Sequence, residues 1–282
     1  DDRGTIFNIK KNGKINWKQN IYNKTYKKIY KSLTLAIYNN NIFIADNIGF
    51  IYVVNLDTGK LVWIKNHGIP IKSNIKIFNN KAFLINQDNR LLCLDIKDGS
   101  KIWDIRSIES FIKSQNFLSL AVSKQGDVIA STSSGDLLKV DSINGYVDWS
   151  SNTLGSMRAD ATDFFKSSDI VIGDNDIIFS ALSSTFSFNL YNGYLNWQLN
   201  IGSKSTPVID GNNVFLVSNN GYFINIDRES GKIIWSTNIL KILKKKQQQT
   251  NIMGFVLGSG KIYAVSLNGY LIVCSAVSGS VE

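Results

Sequence analysis

Short runs of apolar and β-branched residues alternate with clusters of Asn, Asp and Gly along most of the chain. One stretch shows the pattern in full, as the successive segments Ile42–Ala45, Asp46–Gly49, Phe50–Leu56, Asp57–Gly59 and Lys60–Ile64. Apolar runs bounded by turn residues predict β-strands joined by hairpins. The pattern recurs at residues 81–105, 127–150, 176–199 and 213–237. A more divergent strand precedes each copy, so the sequence predicts four antiparallel strands per repeat.

The phrase Gly-x-x-x-Trp ends each repeat and contains every tryptophan of the chain. Its six copies are Gly13/Trp17, Gly59/Trp63, Gly99/Trp103, Gly145/Trp149, Gly193/Trp197 and Gly231/Trp235. Successive tryptophans are 46, 40, 46, 48 and 38 residues apart. Four short strands in a period of about 40–50 residues are typical of propeller blades. The predicted fold is all-β: a β-propeller of four-stranded antiparallel blades, of PQQ-like or WD type.

The two fixed residues of the phrase have predictable roles. Glycine supplies the positive φ of a tight turn between the third and fourth strands. Tryptophan opens the fourth strand, where we expect its ring to pack on the next blade and its N–H to find a backbone acceptor. Asp57, Asp95, Asp141 and Asp227 precede the glycines and are expected to cap these hairpins through side-chain-to-backbone bonds.

The ends of the sequence fall inside repeats. The first residues resemble a third strand, and a seventh phrase begins at Gly279 and reaches the last residue, Glu282, before its tryptophan. We therefore expect one propeller domain over residues 1–282, with about six blades and truncated at both ends. Any targeting segment would lie upstream of Asp1.

Composition excludes little, because 44% hydrophobic and 19% charged residues are ordinary for a globular protein. The net charge is +9. Its lysines are scattered, which indicates a solvated surface, with an anionic partner or membrane surface as the alternative; no nucleic-acid partner is expected. One concentrated run, Lys241–Lys246, is expected to form a loop or short helix between blades.

Few residues are suited to catalysis. Cys93 and Cys274 lie on predicted strands and are expected to be buried free thiols, with a disulfide or redox role as the alternative. His67 is the sole histidine and is expected in a loop. We therefore expect no metal site. The longest apolar runs fall short of the ~20 residues that a membrane-spanning helix needs.

The pattern Asp/Asn-x-x-x-Gly-x-x-x-Trp after an alternating apolar run, as at Asp95–Gly99 and Asp227–Gly231, resembles the PQQ-like propeller repeat. Within that superfamily the chain is similar to the BamB family. The resemblance implies an eight-bladed ring with no catalytic activity and no cofactor. It also implies a lipid-anchored protein on the periplasmic face of the bacterial outer membrane. Its expected partners are the POTRA domains of BamA and unfolded outer-membrane proteins.

Two unusually long links between blades carry the narrower resemblance. In the family, the loops at these places bind the partner, through aliphatic residues followed by a basic one and through an acidic pair. The resemblance assigns Phe111, Ile112 and Lys113 to the first and Asp160 and Asp163 to the second. Arg158 is added on chemical grounds. Loops on rigid scaffolds often carry recognition, although Phe111 and Ile112 could instead pack under the blade.

Two other functions remain open. A PQQ-dependent quinoprotein dehydrogenase shares the repeat, but it would need a cofactor pocket, a Ca²⁺ site and a carboxylate base. The cofactor pocket of these enzymes commonly carries a disulfide between adjacent cysteines, and this chain has no adjacent cysteines. It also has no acidic cluster with calcium-loop spacing. A generic PQQ-like interaction propeller with another partner is the second, because fold alone does not name a ligand.

Overall fold

The structure is a computed structural model that describes residues 1–106, 113–153, 166–181, 183–241 and 250–282. The described residues form two compact units, residues 1–148 and the residues from 149 onward. The prediction of a single domain over residues 1–282 stays a prediction. Among the described residues, no helix has the length and apolar character needed to cross a membrane.

The first unit begins with a β-hairpin and continues with four-stranded antiparallel sheets. Its strands are β1 (Ile6–Ile9), β2 (Ile15–Gln19), β3 (Leu33–Tyr38), β4 (Asn41–Asp46), β5 (Phe50–Asn55), β6 (Leu61–Asn66), β7 (Lys76–Phe78), β8 (Lys81–Ile85), β9 (Arg90–Asp95), β10 (Lys101–Arg106), β11 (Leu120–Val122), β12 (Asp127–Ser131), β13 (Asp136–Asp141) and β14 (Val147–Asn152), which carries the chain into the second unit. Strand β1 pairs with β2, and the sheets are β3–β6, β7–β10 and β11–β14. Neighbours in each sheet are consecutive in sequence, as the hairpin prediction requires.

The second unit repeats the same topology. Its strands are β15 (Val171–Ile172), β16 (Asp176–Ala181), β17 (Ser184–Asn189), β18 (Leu195–Leu199), β19 (Val208–Asp210), β20 (Asn213–Val217), β21 (Tyr222–Asp227), β22 (Ile233–Asn238), β23 (Ile252–Gly258), β24 (Lys261–Ser266) and β25 (Leu271–Ser275). The sheets are β15–β18, β19–β22 and β23–β25. The predicted four strands per repeat are therefore confirmed for each complete copy.

The core lies between neighbouring sheets of a unit, since their middle strands are buried on both faces. In the first unit, Phe43 and Val53 of one sheet pack in the same cluster as Leu84 and Leu94 of the next. In the second unit, a corresponding cluster contains Ile178, Trp197, Val214, Leu216, Ile224 and Ile226. Burying one large apolar side chain stabilises a fold by about 1.5–3 kcal/mol. Because a strand alternates its faces, the β3–β6, β7–β10 and β19–β22 sheets each contribute to clusters on both of their sides.

In five of the sheets, a β-bulge directly precedes the tryptophan of the Gly-x-x-x-Trp phrase. In β6, Trp63 pairs with Val53 while Leu61 pairs with Val54, so Val62 is the extra residue. The same shift occurs beside Trp17, Trp103, Trp197 and Trp235. Since a bulge bends the strand and re-aims its side chains, it sets the direction of the indole.

Each indole N–H donates to a backbone carbonyl of the following repeat, as the sequence predicts. The donor–acceptor pairs are Trp17–Leu56, Trp63–Ile96, Trp103–Ser142, Trp149–Leu190, Trp197–Arg228 and Trp235–Ala276, at 2.8–3.3 Å. In every pair the acceptor lies three residues before the next glycine of the phrase. Every tryptophan therefore bonds to the turn that begins the next phrase.

That next glycine also lies directly against the tryptophan ring. A Cβ built on Gly231 would be 2.6 Å from Cγ of Trp197, which is too close for two carbon atoms. Gly231 also has a φ of +71°, which side chains rarely adopt. The same contact joins Gly59 to Trp17, Gly99 to Trp63, Gly145 to Trp103, Gly193 to Trp149 and Gly279 to Trp235. We call this pairing the Trp–Gly contact, and it requires glycine for two independent reasons.

The hairpin caps are found where expected in three repeats. The Oδ1 atoms of Asp95, Asp141 and Asp227 accept backbone N–H bonds within the turn. The prediction for Asp57 was wrong, because Asn55 holds the capping position and accepts from the amides of Asp57 and Thr58. The carboxylate of Asp57 accepts a bond from Asn40 Nδ2 at 2.7 Å instead. The capping residue stands four places before glycine, and Asp57 stands only two before it.

Candidate functional site

Most of the predicted partner-binding residues lie outside the described part of the chain. Phe111 and Ile112 fall within residues 107–112, and Arg158, Asp160 and Asp163 fall within residues 154–165. Their assignment therefore stays a prediction from the sequence. Lys113 and the residues at the ends of both links are described.

Lys113 has an exposed side chain beside the β8–β9 hairpin. Its Nζ is 3.7 Å from Oδ1 of Asp88, and its side chain is 70% exposed. The Asp88 amide donates to Oδ1 of Asn86 at 3.0 Å, which fixes the turn that carries the carboxylate. The Asp88 Oδ1 atom is itself buried and accepts no hydrogen bond among the described residues. The ammonium of Lys113 is therefore the neighbouring charge that compensates the buried Asp88 oxygen.

The link after β10 is fixed to the sheet where it becomes described again. The amide of Ser114 donates to the carbonyl of Gln87 at 2.8 Å, and the Ser114 residue is buried. Further along, the amide of Leu118 donates to the carbonyl of Lys72 at 2.6 Å. Phe117 lies between these two bonds with 43% of its surface exposed. The link thus presents an aromatic residue and Lys113 from a tethered backbone.

The β8–β9 hairpin, which carries Asp88, is joined to the β12–β13 hairpin by side-chain hydrogen bonds. Asn89 lies in the β8–β9 turn and Ser133 in the β12–β13 turn. The Ser133 amide donates to Asn89 Oδ1, and Asn89 Nδ2 donates to Ser133 Oγ, both at 2.8 Å. Asn89 is buried and has a φ of +57°, a conformation that asparagine tolerates better than most residues. Sequence reasoning missed this connection, for which the turn composition around both residues is the only local signal.

The link after β14 is also fixed at both described ends. The hydroxyl of Ser151 donates to the carbonyl of Gly193 at 2.5 Å. On the far side, the Ser168 amide donates to the carbonyl of Ser180, while the Ser180 amide donates to Ser168 Oγ. Both links therefore start and end on sheet positions that hydrogen bonds define.

The two thiols are buried within the sheets, as predicted, and both are free. Burial raises the pKa of Cys93 to about 12 and that of Cys274 to about 11. A thiol is nucleophilic and metal-binding as the thiolate, so these environments disfavour both roles at neutral pH. The two residues behave as small core side chains.

His67 directly follows β6, in the predicted connecting position. Its amide donates to the carbonyl of Gly49 at 2.8 Å. Its Nε2 is buried and has no hydrogen-bond partner among the described residues. Burial lowers the pKa of His67, with further contributions from Lys65 and Lys101. The neutral imidazole is therefore the favoured form.

The most buried carboxylates have internal partners. Asp46 Oδ1 accepts the amides of Ile48, Gly49 and Phe50 at 2.8–2.9 Å, and its Oδ2 accepts the Tyr22 hydroxyl at 2.6 Å. This places Asp46 as the cap of the β4–β5 hairpin. The sequence signal for this cap is the Asp-Asn-Ile-Gly turn itself, which matches Asx-turn chemistry.

A second buried carboxylate forms an ion pair in the second unit. Asp176 accepts two bonds from the guanidinium of Arg228, from Nη2 at 2.6 Å and from Nε at 2.8 Å. These hydrogen bonds raise the pKa of Arg228. Bidentate geometry is the strongest form of such a pair. Among the described residues, no group of three or more His, Cys, Asp or Glu side chains is placed to hold a metal ion.

Three comparisons with known proteins agree. A family model described as outer membrane protein assembly factor BamB matches residues 2–237. The chain is 22% identical to the outer membrane protein assembly factor BamB of Moranella endobia, over 89% of this chain and 66% of the relative. It is 23% identical to that of Yersinia pestis, over 89% and 65% respectively. The solved structure of BamB from Moraxella catarrhalis matches with a TM-score of 0.76 and 13% identity, over 100% of this chain and 82% of that one.

The sheets, the phrase, the family model and the structural match define a β-propeller of PQQ-like repeats, which confirms the predicted fold class. The number of blades in the ring stays a prediction. The family match covers most of the sequence, so the chain belongs to the family of outer membrane protein assembly factor BamB. It spans just under two thirds of the length of the curated relatives described above.

Proposed function

We propose that this chain is a non-catalytic scaffold of the machinery that assembles β-barrel proteins in the bacterial outer membrane. Membership of the BamB family over residues 2–237 is the observation that carries the proposal. The relatives from Moranella endobia and Yersinia pestis are named as outer membrane protein assembly factors. The proposed location is the periplasmic face of the outer membrane, with a lipid anchor in the full-length protein.

The proposed partner is the POTRA region of BamA, and unfolded outer-membrane proteins are the proposed clients. The binding residues in this proposal are Phe111, Ile112, Lys113, Arg158, Asp160 and Asp163. Support comes from the tethered ends of both links, at Ser114, Ser151 and Ser168, because loops on a fixed scaffold lose little entropy on binding. Lys113 adds a positive charge on a side chain that is 70% exposed.

The double variant Phe111→Ala/Asp160→Ala tests the site. An aromatic anchor and a charged contact are typical hot-spot residues, each worth about 2 kcal/mol. One such loss corresponds to about 30-fold, so we expect the dissociation constant for a BamA POTRA fragment to rise by several hundredfold when both are removed. Isothermal titration calorimetry on the 282-residue chain measures it.

The matched control is Phe7→Ala/Asp57→Ala, which removes an exposed phenylalanine and an exposed aspartate elsewhere. We expect its affinity to stay within about threefold of the parent. Unchanged affinity in the test variant would reject the site residues. No measurable binding by the parent chain would reject the BamA assignment itself.

We also propose that the chain carries no enzyme activity and binds no cofactor. The names of the relatives support this. The buried carboxylates of Asp46 and Asp176 support it as well, because both already accept hydrogen bonds from protein groups. Titrating the chain with PQQ and Ca²⁺ should give no bound-quinone absorbance and no alcohol-dependent dye reduction. Alcohol-dependent turnover that requires both additives would establish a quinoprotein dehydrogenase instead.

A further inference from the structure

A second surface is formed by the connection between β2 and β3, in residues 23–30. We propose that this segment, the basic loop, docks on an anionic phospholipid bilayer surface. Its sequence is Asn-Lys-Thr-Tyr-Lys-Lys-Ile-Tyr. The inference rests on the contacts of the loop and does not depend on the BamA proposal.

Buried groups hold the base of the basic loop. Tyr22 is buried, and its hydroxyl donates to Asp46 Oδ2 at 2.6 Å. The ammonium of Lys31 donates to the carbonyls of Tyr26 and Ile29, at 2.6 and 2.8 Å. It also lies 4.4 Å from the ring centroid of Tyr22. One lysine therefore points inward and binds the loop's own backbone, which fixes the loop in one shape.

The start of the basic loop is fixed in a similar way. Asn23 Oδ1 accepts the amides of Thr25 and Tyr26, at 3.1 and 3.3 Å. The ring of Tyr26 packs edge-on against Phe50, with centroids 5.2 Å apart. Tyr26 is therefore the inward-facing aromatic of the loop, and its neighbours face outward.

The outward side combines positive charge with apolar surface. Lys24, Lys27 and Lys28 are exposed, and within the described residues none of them forms an ion pair. Ile29 is 44% exposed and Tyr30 is 69% exposed. The sequence contains no acidic residue between Arg3 and Asp46. The loop thus presents three free ammonium groups around an isoleucine–tyrosine pair.

This combination suits a bilayer surface better than a protein groove. Each lysine beside a membrane raises the affinity for anionic lipids roughly fivefold. A tyrosine places its ring among the acyl chains and its hydroxyl among the headgroups, and an adjacent isoleucine adds apolar area. A protein hot spot instead seats its anchor in a pocket within a ring of excluding contacts. An exposed turn that is held by its own hydrogen bonds needs only a flat, deformable surface.

Co-sedimentation of the 282-residue chain with vesicles tests the proposal. We expect binding to phosphatidylcholine vesicles that contain about 30% phosphatidylglycerol, weakening as salt rises, and little binding to phosphatidylcholine alone. The variant Lys24→Gln/Lys27→Gln/Lys28→Gln should bind about 100-fold more weakly. The variant Ile29→Ser/Tyr30→Ser should also bind about tenfold more weakly, although its charge is unchanged.

The matched control is Lys10→Gln/Lys11→Gln/Lys14→Gln, which removes three exposed lysines from the β1–β2 turn. It should retain binding within about threefold. Equal losses in both triple variants would overturn the proposal, because adsorption would then follow net charge alone. Full binding by Ile29→Ser/Tyr30→Ser would overturn the apolar contact. Capture of a polyglutamate peptide without vesicle binding would assign the loop to an acidic protein partner instead. Circular dichroism confirms that each variant is folded.

Discussion

Replacing Trp197 by alanine should lower the free energy of unfolding by about 3–5 kcal/mol. Trp197 is the most buried of the six tryptophans, at 7% exposure, whereas the other five are partly exposed. Its ring packs among apolar residues of two adjacent sheets, including Ile178 and Leu216. Its N–H donates to the carbonyl of Arg228 at 2.8 Å. The alanine variant creates a cavity and also leaves that carbonyl without its donor.

Urea unfolding followed by far-ultraviolet circular dichroism measures the loss. Tyr194→Ala is the matched control, since Tyr194 lies three residues earlier with 74% exposure. Its stability should stay within about 0.5 kcal/mol of the parent. If Trp197→Ala cost no more than Tyr194→Ala, the indole would not hold the two sheets together.

Replacing Gly231 by alanine should cost about 2–5 kcal/mol. One part is the left-handed backbone at a φ of +71°, which disfavours a side chain by about 1–2 kcal/mol. The other is overlap with the Trp197 ring, for which overpacking costs about 1–3 kcal/mol. Gly260 separates the two parts, because it has the same φ and no atom within 4 Å of its added Cβ. Gly260→Ala should therefore cost only about 1–2 kcal/mol.

A double-mutant cycle isolates the Trp–Gly contact. In a Trp197→Ala background the ring is absent, so Gly231→Ala should cost no more than Gly260→Ala does. The coupling between positions 197 and 231 should then equal the overlap, about 1–3 kcal/mol. Equal costs for the two glycine variants in the parent chain would show that the ring yields to the methyl group.

The repeat could be predicted from the sequence because its determinants are local and periodic. Apolar runs between clusters of turn residues specify the strands, and the glycines specify the tight turns. The bond of each indole N–H to a backbone carbonyl followed from the need to satisfy a buried donor. The free, buried state of Cys93 and Cys274 followed from their positions on predicted strands. Each of these inferences needs only a few neighbouring residues.

The remaining features depend on residues that lie far apart in the chain. The contact of Gly231 with Trp197 joins two copies of the phrase, and a period does not say which copies touch. The bulge at Val62 adds a residue to one strand only, which no alternation pattern reveals. The sequence predicts Asp57 as a hairpin cap, but the cap is Asn55, two residues earlier, whose side-chain oxygen accepts the amide bonds of the turn. The proposed partner site lies in links without periodicity, so its residues came from family resemblance, apart from Arg158, which was added on chemical grounds.

The direction of the Trp–Gly contact has a consequence for the order in which the repeats can fold. Every tryptophan bonds forward, to a carbonyl 31–41 residues later in the chain. In a chain that emerges with its N-terminus first, that carbonyl always emerges after the indole. Until then, the newest repeat ends in an unpaired indole. The emerging chain therefore has one incomplete repeat with an unpaired indole, and this position moves toward the C-terminus as each repeat is completed.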